Sequence, residues 1–158
     1  MLSVGGKRLK GTALVFADRP KSAAQLIALA RKLPIVAVRI HAYRPDRLPP
    51  FDKPELKELW KQAADLGIAV QLHFEPRYAP GFTPLIREFK DVPVIIDHLG
   101  RPLQGTPEEH AMVVKWADLK NTVMKISSLP EKPMPGERDL KPIIKELHVS
   151  SRRTDGPA

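Results

Sequence analysis

The strongest constraint on this chain is an alternation that runs along most of its length. Five short, β-branched-rich apolar runs, Ala13–Phe16, Ile35–Ile40, Ile68–Phe74, Val92–Ile96 and Thr122–Ile126, are separated by stretches with helical periodicity. Each run is long enough for a strand and too short for a buried helix. Several are apolar on both faces through most of their length, the pattern of parallel strands covered on both sides. They recur in units of about 23 to 32 residues, the spacing of strand–helix steps. The expected fold class is therefore α/β, with a parallel sheet and right-handed crossovers. The units repeat in pattern and not in sequence.

The helical stretches carry their own punctuation. Ser22–Lys32 places Leu26, Leu29, Ala30 and Leu33 at helical spacing. In Asp52–Leu66, Asp52 suits the cap, Pro54 the first turn and Glu55 a capping box, while Leu56, Leu59, Trp60 and Ala63 form a buried stripe that Gly67 ends. Thr83-Pro84 opens a shorter helix through Phe89, and Thr106-Pro107 opens another with Met112, Val113 and Trp116 inward. The last helix is expected over Gly136–Leu147, with Pro142 as an alternative start. One domain over residues 1–147 and a polar, disordered tail over 148–158 complete the expected organisation.

Composition narrows the chemistry. The 158 residues suffice for one core. The net charge of +8 comes from scattered basic residues, without an RNA-binding aromatic motif or zinc-finger spacing, so no nucleic-acid partner is expected. There is no cysteine, so any metal must be held by His, Asp or Glu. Thr12–Ala17 is too short for a signal peptide's apolar core, and no stretch approaches a membrane span. The expected location is cytoplasmic, away from membranes.

In parallel α/β sheets, sites collect at the carboxyl ends of strands. Alternation there puts Arg39 and His41 on one face, then Gln71 and His73, then His98 with Val94 and Ile96, then Lys125 with Ser127. Asp97 falls on the opposite, helix-covered face, where it needs a partner. If the polar faces line a barrel interior, Arg39, His41, Gln71, His73, His98 and Lys125 converge at one mouth. Each has a structural alternative. His73 could be a hydrogen-bonded core histidine, His98 a turn cap before Gly100, and His41 a solvent-exposed loop neighbour. Arg39 and Lys125 lie too close to strand interiors for ordinary surface charges, which favours buried ion pairs. His110 and His148 fall on helices and read as surface residues.

Val38-Arg39-Ile40-His41, Gly67–His73, Val94–Pro102 with its Asp-His-Leu-Gly-Arg-Pro run, and Val123–Ser127 together resemble the amidohydrolase-related (amidohydrolase 2) family. Its members include 2-pyrone-4,6-dicarboxylate lactonase, sugar lactonases and a decarboxylase. The resemblance runs from about Leu9 to about Leu147. It implies a partial (β/α)8 barrel, with the five runs as its strands three to seven. It further implies His73 as a metal ligand, with zinc the expected divalent metal, and His98 as the catalytic histidine that polarises substrate or activates water. Arg39, His41 and Lys125 become substrate contacts for a carboxylate-bearing small molecule.

The family's His-x-His pair and its final-strand Asp have no counterpart here. The expectation is thus a barrel segment whose first and last parts are missing. Three outcomes stay open: a lactone- or ester-directed hydrolase or related decarboxylase, an inactive fragment, and a non-catalytic binding domain that forms a homo-oligomer through its open edges.

Overall fold

Strands that add in chain order, each after a right-handed crossover, keep every helix on one side of the sheet. The computed structural model of the chain, which describes residues 9–43, 45, 48–128 and 139–152, has this arrangement. Its elements are β1 (Gly11–Leu14), α1 (Ser22–Lys32), β2 (Ile35–Ala42), α2 (Pro54–Asp65), β3 (Ala69–Phe74), α3 (Ala79–Glu88), β4 (Val94–Ile96), α4 (Pro107–Val114), β5 (Thr122–Met124) and α5 (Leu140–Arg152). The five strands form one sheet in the order β1-β2-β3-β4-β5, every neighbouring pair parallel. This is an arc of a (β/α)8 barrel, not a doubly wound sheet, because the strand order never reverses.

The helix-covered face forms the core. Val38, Ile40, Val70, Leu72, Phe74 and Ile96 are each at most 1% exposed. Leu26, Leu56, Trp60, Phe82, Val113 and Trp116 pack in the same cluster from the helix layer. Burying each such side chain stabilises the fold by roughly 1.5–3 kcal/mol of transfer free energy. Gly67 ends α2 at φ 63°, where a side chain would be strained. The Asn121 amide nitrogen reaches the carbonyl oxygens of Ile86, Phe89 and Val92 at 3.1–3.2 Å, tying the end of α3 to the approach to β4. No helix among the described residues is long and apolar enough to cross a membrane.

Several local expectations need correction. Asp52 does not cap α2: Lys53 holds the cap position without a side-chain bond. Turn bonds from Phe51 N to Pro49 O and Lys53 N to Pro50 O leave Asp52 one residue too early. The helix expected at Thr83-Pro84 begins at Ala79, with Pro84 inside it. Gly81 weakens the helical pattern in the sequence, yet a Cβ there would lie 2.4 Å from Phe51 Cδ1, so close packing explains it. By contrast, Thr106 and Glu109 form the full capping box of α4. Gly136 lies outside the described residues, and α5 runs past Leu147 to Arg152.

Candidate active site

Strand register brings the polar residues together. Arg39 sits beside Gln71 and His41 beside His73, across β2 and β3. Gln71 in turn pairs with Ile95 on β4, and Ile95 with Val123 on β5. The inner face of β4 therefore carries Ile95 and, two residues on, Asp97. Ile96 belongs to the helix-covered core, so the expected placement of Asp97 on that face is reversed.

Asp97 is fully buried and is the hub of the inner face. Its Oδ2 lies 2.6 Å from Arg39 Nη2, and its Oδ1 lies 3.4 Å from Lys125 Nζ. The Gln71 amide donates to both carboxylate oxygens, at 2.7 and 2.9 Å. Burial pushes the Asp97 carboxyl up, but the Gln71 hydrogen bond and the Arg39 and Lys125 charges outweigh it and lower its pKa. Arg39 is the partly buried ion-pair partner its position suggests. Lys125 is 47% exposed and is not buried.

By strand alternation His98 should point at the helices. It does not, because the chain reverses hand there. His98, Leu99, Gly100 and Arg101 have φ values of 55°, 57°, 71° and 56°, a left-handed turn that costs non-glycine residues about 1–2 kcal/mol each. Backbone bonds from Leu99 N to Lys125 O (3.1 Å) and Arg101 N to His98 O (2.8 Å) hold it. Through this turn His98 and Arg101 both reach the inner face, where the His98 ring stands 5.1 Å from the His73 ring. His98 and His73 thus occupy adjacent strand ends at the same end of the sheet.

The His73 ring is bracketed by cations. Arg39 Nη2 lies 3.1 Å from its Nδ1, and Arg101 Nη1 lies 3.1 Å from its Nε2. A guanidinium only donates, and a neutral imidazole accepts at one nitrogen only. One of the two contacts is therefore unfavourable, and a protonated ring would satisfy neither. Burial first, then the charges of Arg39 and Arg101, push the His73 pKa down to about 4. His41 is lowered in the same direction, chiefly by burial and Arg39. Its ring stands 5.0 Å from that of His73, and its Nε2 is buried without a hydrogen-bond partner among the described residues. Tyr43 completes the cluster, with its ring 4.9 Å from His73 and the Arg101 guanidinium 5.5 Å over its face.

His98 Nδ1 lies 3.2 Å from the Ser127 carbonyl oxygen and 2.9 Å from Ser127 Oγ. A carbonyl oxygen only accepts, so these contacts favour a proton on Nδ1 and leave Nε2 with its lone pair.

Arg39, His41, Gln71, His73, His98 and Lys125 are brought together as expected. Asp97, Arg101 and Tyr43 were not among the expected site residues. Arg101 stands in the quoted Asp-His-Leu-Gly-Arg-Pro run, so its signal was present but unused. His110, expected at the surface, is buried: its Nε2 donates to Leu99 O at 2.8 Å. His148 is exposed.

The described residues do not fit the divalent metal that the resemblance implies. No three His, Cys, Asp or Glu side chains among them come together to hold an ion. Both His73 nitrogens face guanidinium groups, and Asp97 is already engaged by two cations and an amide.

Comparisons with known proteins agree with this fold. A structure of a probable 2-pyrone-4,6-dicarboxylic acid hydrolase from Acinetobacter baumannii, with citric acid bound, superposes with a TM-score of 0.60 and 27% identity over 77% of this chain and 45% of that one. Amidohydrolase 2 from Bifidobacterium longum subsp. infantis gives a TM-score of 0.57 and 23% identity, over 76% of this chain and 44% of that one, and shows the shared fold. The chain thus spans a little under half the length of either protein. No curated protein sequence matches it. The family profile described as amidohydrolase matches residues 2–150, nearly the whole chain, and the chain belongs to the amidohydrolase family.

Proposed function

We propose that this chain carries the substrate-gripping and proton-handling part of a hydrolase that acts on a carboxylate-bearing carbonyl compound, a lactone in the first instance. The carrying observation is the pair Arg39 and Arg101, both within 3.1 Å of a neutral His73. Two cations crowd a ring that can accept from only one of them. A carboxylate entering between them would accept from both and relieve the mismatch, in the forked geometry that guanidinium groups favour. The Acinetobacter relative binds citric acid, itself a tricarboxylic acid, which supports this reading by similarity.

The same residues suit hydrolysis of a neighbouring carbonyl. His98, with Nδ1 held by Ser127, offers Nε2 to accept a proton from attacking water. Lys125, half-exposed beside Asp97, can face the oxygen on which negative charge develops. Asp97 holds Arg39 in place and, being fully engaged, is not the base.

Titration calorimetry with citrate tests the grip. Binding that weakens with salt, and at least tenfold with Arg101→Ala, is expected. Turnover of 2-pyrone-4,6-dicarboxylate, assayed with and without added zinc, tests the chemistry. No citrate binding at low salt would sink the reading, and binding without turnover would restrict it to recognition.

A further inference from the structure

The left-handed turn His98–Arg101 does work that its own sequence does not explain. Gly100 is the one residue in it free of a steric penalty, yet Leu99 and Arg101 adopt the same hand. The bonds from Leu99 N to Lys125 O and from Arg101 N to His98 O hold one side of it, and two further holding elements lie on α4. His110, 4% exposed, donates from Nε2 to the Leu99 carbonyl oxygen at 2.8 Å. Val113, three residues on and therefore on the same helix face, presses against Gly100 so closely that a Cβ there would meet Val113 Cγ1 at 2.5 Å. The capping box of Thr106 and Glu109 fixes the helix that carries both.

We propose that His110 is a positioning residue for the site: its bond to the Leu99 carbonyl keeps the turn left-handed and so keeps His98 and Arg101 on the inner face. The role is separate from proton transfer, since His110 sits behind the turn, under α4. A hydrophobic side chain of similar size would fill the space but leave the Leu99 carbonyl without this donor. The chain could then relax toward ordinary strand geometry, in which His98 returns to the helix side.

The inference about binding rests on the reading of Arg39 and Arg101 as a carboxylate grip; the inference about the turn does not. Two readouts on the full chain keep them apart. The first is the φ-sensitive backbone coupling of Leu99 and Arg101, measured by nuclear magnetic resonance. The second is citrate affinity. His110→Leu is expected to shift both couplings away from their left-handed values and to weaken citrate about tenfold. His110→Gln, whose amide can still donate to Leu99 O, is expected to keep the couplings and to hold affinity within about threefold of the parent. Should His110→Leu fail to fold, His110→Asn, whose shorter amide falls short of that oxygen, takes its place. Unchanged couplings in a folded His110→Leu or His110→Asn chain would overturn the proposal. So would equal losses in His110→Gln, which would make His110 a packing residue only. If the parent chain does not bind citrate, the carboxylate grip fails, and the couplings alone decide the role of His110.

Discussion

The two faces of the sheet obey different rules. On the helix side Val38, Leu72, Phe74 and Ile96 are sealed, each fully buried against helix residues such as Leu59 and Trp60. On the inner side Leu14 and Val123 are 47% and 58% exposed, and between them lie Arg39, His73, Asp97 and Lys125. One face is a packed oil layer whose members are interchangeable in kind if not in shape. The other is sparse in apolar contact and held by hydrogen bonds and charge. Stability should therefore follow substitutions on the first face, and pH on the second.

The sharpest way to break that contrast is at the centre of the helix side. Trp60→Ala is expected to cost about 3–5 kcal/mol by urea unfolding, because it empties a fully buried site. A cost below ~1 kcal/mol would mean that the core is loosely packed. Next comes the inner face under acid. His73 is neutral when folded, with a pKa of about 4 against an ordinary 6.5. Between those values the unfolded chain takes up a proton that the folded chain refuses, so stability falls as pH falls through this window, by up to ~3 kcal/mol from His73. His41 adds in the same sense. Asp97, lowered from 3.8, acts in a more acidic range, where protonating it removes stability that is present above that value. Unfolding free energies measured at pH 7 and pH 5 should differ, and His73→Phe should flatten the difference; an unchanged slope would assign it to other groups. The smallest effect is expected at the exposed edge. Val123→Ser should change stability by no more than ~0.5 kcal/mol, and a larger loss would mean that this edge is covered in solution.

The same contrast explains what the sequence could reveal. The helix-covered face is written in β-branched runs and helical stripes, which are local patterns, so all five strands and the stripe of α2 were legible. Parallel order followed from spacing. The inner face is legible only as far as alternation holds. Arg39, His41, Gln71 and His73 lie on regular strands and were placed correctly. Asp97 is misplaced by alternation because His98 and Asp97 look like opposite faces of one strand, whereas β4 stops at Ile96 and the left-handed turn brings His98 to the inner face beside Asp97. Nothing in the residue types Asp-His-Leu announces that reversal; only Gly100 hints at it. His110 was read as a surface residue because a polar side chain on an amphipathic helix normally is one, and its partner is a backbone carbonyl that no sequence pattern marks. Helix α3 starts ahead of Thr83-Pro84 because Pro80 fits a first turn and Gly81 makes room for the Phe51 ring.

The hand reversal after β4 also changes how closely functional groups can be spaced. Along a regular strand, two side chains on one face are separated by two residues, or roughly 6.6 Å of rise. In this chain consecutive residues, Asp97 and His98, serve the same face, and Arg101 joins them within the next turn. A carboxylate, an imidazole and a guanidinium are thereby delivered from five residues of chain, where a regular strand of that length would offer three same-face positions at fixed intervals. The turn thereby sets Arg101 and the His98 ring beside a His73 ring that Arg39 on β2 already faces.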